Sequence, residues 1–195
     1  KKTRLMKTLS LIFALTLIVT AFTGCGGNEE EPTTTEPTTV ITTEPPVVYR
    51  NPLTGEAGYN EELIGNRPVM VVVENHSQAR PQWGLTSSDI VFEMVAEGGI
   101  TRMILMYADA SRLPDKIGPV RSTRHYFLDL AEGYDAIFTH FGQSTYAKQQ
   151  LANHDIDNIN GYVDGSYFSR DKSRNVDSEH TAYTTKEWVI KAIED

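Results

Sequence analysis

Two apolar-rich runs, Asp89–Glu97 and Ile100–Tyr107, meet at Gly98-Gly99, and this junction constrains the fold more than any other feature of the chain. Glycine adopts positive φ without a Cβ penalty, and a two-residue hairpin turn needs that twice. The pattern predicts a tight antiparallel hairpin with both glycines left-handed. A two-residue loop would set Glu97 opposite Ile100, Val95 opposite Arg102 and Glu93 opposite Ile104. Side-chain alternation would then put Glu93, Val95, Glu97, Ile100, Arg102 and Ile104 on one face. Arg102 would lie diagonal to both Glu93 and Glu97, within reach of each. Such an arginine either belongs to a structural ion network or is aimed by its carboxylates at an anionic ligand.

The flanking sequence completes a mixed α/β (α+β) pattern. Val69–Glu74 is a β-branched run that reads as a buried strand, and Asn75–Trp83 reads as a loop. Gly118-Pro119 marks a turn or sheet edge. Ser122 or Thr123 is expected to cap a helix carrying Tyr126, Phe127, Leu130, Ala131 and Tyr134. Asp135–His140 follows as a strand and Thr145–Asn153 as a second helix. The segment from Asp155 to Glu179 is polar and reads as loops with at most a short strand. Thr184-Thr185-Lys186-Glu187 matches a capping box before Trp188, Val189, Ala192 and Ile193 at helical spacing. The expected architecture is a mixed sheet containing the hairpin, with helices packed on it and Trp83 and Trp188 as packing residues.

The first fifty residues are not fold material. Lys1, Lys2, Arg4 and Lys7 precede an apolar stretch, Leu9 to Phe22, that is short for a membrane span. Thr23-Gly24-Cys25-Gly26-Gly27 then resembles a bacterial lipobox, with Phe22 where such boxes more often carry Leu. Cys25 is the single cysteine, and a free exported thiol would otherwise be a liability. Residues 1–24 are therefore read as a lipoprotein signal peptide and Cys25 as the lipidated residue. The Thr-, Pro- and Glu-rich stretch up to residue 50 is too polar to bury a core and reads as a disordered linker. Residues 51–195 form the globular domain, which is expected to be truncated at its C-terminus because Asp195 follows a helical pattern with no C-cap. The expected location is the outer face of the cell membrane.

The formal net charge of −8 includes the basic residues of the signal, so the remainder stands near −12. No basic surplus exists to release counterions from a polyanion, which argues against nucleic acid as a partner. In so acidic a chain, clustered arginines are informative. Arg121 and Arg124 flank the start of a helix, where unpaired N–H groups already attract anions and cations are disfavoured. An anion between them, or nearby acids such as Asp129 and Glu132, would explain the placement. His140-Phe141-Gly142-Gln143-Ser144 forms another strand-to-helix turn, of the kind that gathers ligands in open α/β sheets. It carries part of a nucleophile-elbow pattern, with Ser144 as nucleophile and His140 or His180 as base, but Tyr146 replaces the second glycine. The histidines have no zinc-ligand spacing, and Ile159 interrupts the calcium-loop-like run from Asp155. No metal and no cofactor are expected.

Several motifs carry a family resemblance. Asn51-Pro52-Leu53-Thr54-Gly55, Asn66-Arg67-Pro68-Val69, Val73-Glu74-Asn75, Ser88-Asp89-Ile90-Val91, Glu97-Gly98-Gly99-Ile100-Thr101-Arg102 and Gly118-Pro119-Val120-Arg121-Ser122-Thr123-Arg124 together resemble the YerB-type lipoproteins of Gram-positive bacteria. The resemblance covers nearly everything after the linker. It implies an anchored envelope domain and supplies no activity. In order and residue type the chain is also similar to the LytR-CpsA-Psr envelope phosphotransferases, whose arginines hold a polyprenyl pyrophosphate. It lacks their Arg-Asp pair, since Ser122 follows Arg121. Three functional readings follow. The first is binding of an anionic envelope ligand, a glycan or phosphate-bearing precursor, through Arg102, Arg121 and Arg124, with Glu93 and Glu97 orienting Arg102 and His140 and Ser144 nearby. The second is a glycan- or phosphoryl-transfer enzyme using Glu97 or Asp89 with the arginines. The third is a scaffold that binds another envelope protein.

Overall fold

The structure, a computed structural model, describes residues 46–195. The expectations for the signal peptide, Cys25 and most of the linker lie outside the described residues.

A five-stranded mixed sheet organises the domain. Its strands are β1 (Val69–Glu74), β2 (Ile90–Val95), β3 (Thr101–Tyr107), β4 (Ile137–His140) and β5 (Asn158–Asn160), in the order β2-β3-β1-β4-β5. The β1–β3 and β2–β3 pairs are antiparallel, and β1–β4 and β4–β5 are parallel. All six residues of β1 are buried, as a central strand covered on both faces requires, which is why it reads as an unbroken run of Val and Met. One face packs Met70, Val72, Ile104 and Met106 against Phe127, Leu128 and Ala131 of α1 (His125–Gly133) and Ala147 of α2 (Thr145–Asn153). The other packs Val69, Val71, Val73, Leu105 and Tyr107 against Ile117, Val120 and Val189, the last from α3 (Lys186–Glu194). Burying each of these large side chains contributes about 1.5–3 kcal/mol. A small second sheet pairs β6 (Ser169–Arg170) with β7 (Ala182–Tyr183). No helix among the described residues is long and apolar enough to cross a membrane.

The hairpin forms as expected, with Gly98 at φ 59° and Gly99 at φ 75°, but its register differs by one residue. Ile100 N donates to Glu97 O while Ala96 N donates to Ile100 O, at 2.9 and 2.8 Å. Ala96 and Glu97 thus both oppose Ile100, a bulge that adds one residue to the β2 side. Below it Val95 pairs with Thr101, Met94 with Arg102 and Glu93 with Met103. A one-residue slip exchanges faces. Glu93 therefore does not orient Arg102: it lies on the opposite face, where its carboxylate accepts from Asn75 and from Thr101 Oγ1.

The caps also depart from expectation. Arg124, with extended backbone and no side-chain cap bond, occupies the N-cap of α1 in place of Ser122 or Thr123. Thr185 rather than Thr184 caps α3, accepting from Trp188 N at 3.2 Å. Thr184 is fully buried and donates its hydroxyl to Tyr167 O.

Candidate functional site

Beyond Val71 the parallel partners β1 and β4 part, and residues 117–124 fill the gap as an extended strap. On one side Glu74 N donates to Pro119 O and Arg121 N to Val72 O. On the other, Phe141 N donates to Arg121 O, Thr123 N to Gly142 O and Ser144 N to Thr123 O. Gly118, at φ 150°, is required where the strap enters, because a Cβ there would stand 2.7 Å from Ala182 O. The strap thus crosses the carboxyl ends of the parallel strands, where open α/β sheets gather ligands, and delivers Arg121 and Arg124 to the site.

Arg102, 7% exposed, reaches this site from β3. Its Nη1 donates to Ser122 O at 2.5 Å and its Nη2 to Glu97 Oε2 at 3.2 Å. The other oxygen of Glu97 accepts from Arg124 Nε, so one carboxylate bridges two guanidiniums. Burial, then the nearby Arg124, pull the Arg102 pKa down to about 10, while the arginines hold Glu97 below the usual carboxylate range. Arg121 pairs with Glu179 at 3.0 Å and lies 3.2 Å from Glu74 Oε1. It is the buried Nε that faces Glu74, as an ion pair whose angle does not make a hydrogen bond. Glu74, buried at the end of β1, accepts from His180 Nδ1 at 2.9 Å. His180 stands in a 3-10 turn (Ser178–His180) and stacks on His76 with ring centroids 4.7 Å apart.

Arg102 and Arg124 thus meet on Glu97, while Arg121, near enough to act on both Arg102 and Glu97 through space, pairs with Glu74 and Glu179. The other candidates have different work. Ser144 Oγ caps α2, accepting from Ala147 N at 3.2 Å, and neither His140 nor His180 is hydrogen-bonded to it as a base. His140 is fully buried, with Nδ1 2.8 Å from Gly142 O and Nε2 3.1 Å from Asn158 Oδ1, and burial lowers its pKa. It is a satisfied core histidine. Asp89 is buried in a bidentate pair with Arg112 and also accepts from Asn51 Nδ2 and Ala108 N. That network docks the Asn51 turn onto the domain and gives Asp89 a structural role. Among the described residues, no group of three or more His, Cys, Asp or Glu side chains is placed to hold a metal.

Sequence reasoning passed over Glu74 and Glu179 and considered His180 only as a partner for Ser144. A signal for Glu74 existed: an ionisable residue closing a run of Val and Met that is otherwise wholly apolar.

The fold and site define a mixed α/β domain with an arginine–carboxylate cluster at the carboxyl edge of its parallel strands. The chain belongs to the family described as the N-terminal domain of a protein of unknown function, DUF3048, whose model matches residues 53–195. It is 46% identical over 145 residues to the protein called "Putative lipoprotein YerB" of Bacillus subtilis (strain 168), covering 73% of this chain and 42% of that one. The crystal structure of the YerB protein from Bacillus subtilis superposes with a TM-score of 0.68 at 44% identity, covering 75% of this chain and 49% of the other. The chain thus spans less than half the length of these relatives.

Proposed function

We propose that this chain is a lipoprotein, anchored through Cys25 on the outer face of the membrane, whose domain binds an anionic envelope ligand, a glycan or phosphate-bearing precursor. The observation that carries the binding reading is the Glu97 bridge. A carboxylate that is itself 58% exposed occupies the space between the largely buried guanidiniums of Arg102 and Arg124. Guanidinium forks match phosphate and carboxylate oxygens equally well. Glu97 therefore stands where a ligand oxyanion would stand, and it can swing out to solvent. Burial first, then Arg124 and Arg121, pull the Arg102 pKa down, so an incoming anion would relieve repulsion among the guanidiniums. The family, and the relative named a lipoprotein, support the anchored setting.

The test is calorimetric titration of inorganic pyrophosphate into wild type, Arg124→Gln and Glu97→Gln. Binding in the wild type, loss in Arg124→Gln and tighter binding in Glu97→Gln are expected, since the last removes the competing carboxylate. Equal weakening in both variants would show that Glu97 supports the site rather than standing in for the ligand.

A second reading, a scaffold that pairs with another envelope protein, is favoured by edge strand β2, whose Val91 and Val95 are exposed. Its test is whether Val95→Lys abolishes capture of an envelope partner while leaving pyrophosphate binding unchanged.

A further inference from the structure

Glu74 and His180 remain unaccounted for by anion binding. Glu74 is a buried carboxylate that divides its oxygens, one 3.2 Å from Arg121 Nε and the other 2.9 Å from His180 Nδ1. A pair of this kind, carboxylate to Nδ1–H, fixes the ring orientation and tautomer and leaves Nε2 as the basic nitrogen. His180 is 6% exposed, and its Nε2 lies 3.7 Å from Glu179 Oε1, beyond hydrogen-bond reach. The ring is locked on its flat side by His76. His180 Nε2 is not one of the fully buried side-chain atoms left without a partner among the described residues, so it keeps access to water while Nδ1 is tied down by Glu74.

The surroundings give that nitrogen a context. Arg121 spans the pair, near Glu74 on one edge and bound to Glu179 on the other. Arg102 lies opposite Glu74 in the β1–β3 ladder. The groups facing His180 are thus Glu74 at the end of β1, His76 in the loop after it, Arg121 from the strap and Glu179 beside it in its own turn. Glu179 is 57% exposed and covers Nε2 only loosely. Displacing its carboxylate from Arg121 by an incoming phosphate would free a guanidinium fork and the basic nitrogen together. A groove of about 350 Å³, lined by Arg170, Arg174, Ser178 and Thr181 among others, borders the same turn and offers room for the remainder of a substrate.

We propose that His180, positioned by Glu74, is a general base that activates water against a phosphodiester held by Arg121 and its neighbouring arginines, so that this site hydrolyses its ligand. This rests on the anion-binding reading above. In the step, Nε2 takes one proton from water as the water oxygen bonds to phosphorus, and the bond from phosphorus to the leaving oxygen breaks. The imidazolium then returns its proton to that oxygen, giving an alcohol and a phosphomonoester. Arg121 and Arg102 stabilise the charge that gathers on the non-bridging oxygens.

The test follows 4-nitrophenolate release from bis(4-nitrophenyl) phosphate by the purified chain, with pyrophosphate binding measured in parallel. Turnover is expected in wild type, competitively inhibited by pyrophosphate. His180→Gln should lose about 10²–10⁴-fold of the rate, the usual contribution of a general base, while still binding pyrophosphate. Glu74→Gln should retain a reduced rate with a shifted acid limb in its pH–rate profile, which a purely structural role would not produce. If wild type is no faster than His180→Gln while pyrophosphate still binds, the general-base proposal is overturned and the binding reading stands. If pyrophosphate does not bind either, both fall. Should His180→Gln fail to fold, the wild-type pH–rate profile decides: an acid limb together with pyrophosphate inhibition supports the base, and a flat profile overturns it.

Discussion

Glu74 and Arg102 face each other in the β1–β3 ladder, yet neither takes the other as its partner. Glu74 turns to His180 and toward Arg121, while Arg102 turns to Ser122 O and Glu97. The crossed arrangement ties β1, the hairpin tip, the strap and the Ser178–His180 turn into one electrostatic unit. Removing one member should therefore be felt by the others, as expected of a coupled network rather than of isolated surface pairs.

Acid should weaken this unit in a definite direction. Glu97 and Glu179 are held below the usual carboxylate range, chiefly by hydrogen bonds from Arg124 and Arg121 respectively. A carboxyl group whose folded pKa is depressed contributes stability that is present above its unfolded pKa, about 4.3, and is lost as pH falls through the folded value. Both side chains are more than half exposed, so solvent screening keeps the effect small. Thermal melts of Glu97→Gln should show a shallower loss of Tm below about pH 4 than wild type.

Ser144→Ala should cost about 1 kcal/mol in denaturant unfolding, the usual value for losing an N-cap, and leave pyrophosphate affinity and turnover unchanged. A loss of turnover out of proportion to stability would return Ser144 to the chemistry.

Asp89→Ala should be more damaging, about 1–3 kcal/mol, because it leaves Ala108 N and Asn51 Nδ2 without their acceptor and releases the Asn51 turn. Chemical denaturation measures the loss, and pyrophosphate binding by the folded fraction should persist.

Gly99→Ala tests the turn. Nothing lies within 4 Å of a Cβ at this position, so the cost is backbone strain alone, about 1 kcal/mol at φ 75°. A larger loss, accompanied by weaker pyrophosphate binding, would show that the turn sets the position of Glu97.

Cys25→Ala should move the protein from the membrane fraction to the medium, since the acidic mature chain has no other evident affinity for an anionic surface. Fractionation of cells producing each form checks this.

The elements of this fold were largely legible because each has a local cause: valine density in β1, paired glycines at the hairpin, threonine or serine before α2 and α3. The register was not. Gly98-Gly99 identifies the turn, but whether Glu97 joins the ladder or bulges out of it depends on what the far end of the strand must bury. Met94 and Phe92 pack with the α1 face, and keeping them there sends Glu93 to the other side. The site was legible in its arginines, which stand out in an acidic chain. Of its carboxylates Glu97 was legible through the hairpin. Glu74 and Glu179 were not, since Glu179 and His180 lie more than a hundred residues from Glu74 and meet it only through the tertiary fold. His140 and Ser144 show the reverse, residues of suggestive type whose hydrogen bonds are all spent on local structure.

The strap wedged between β1 and β4 governs how fast this site can change state. Its backbone is laddered on both sides, so Arg121 and Arg124 cannot be withdrawn without breaking the sheet's own hydrogen bonds. The mobile parts are instead the half-exposed carboxylates of Glu97 and Glu179, which need only rotate about side-chain bonds. Exposed rotamers exchange on picosecond to nanosecond timescales, whereas loop and domain closures take microseconds or longer. On the proposed reading, ligand capture should accordingly proceed by swapping a protein carboxylate for a ligand oxyanion in a rigid frame, with an association rate set by diffusion and charge rather than by a closing motion.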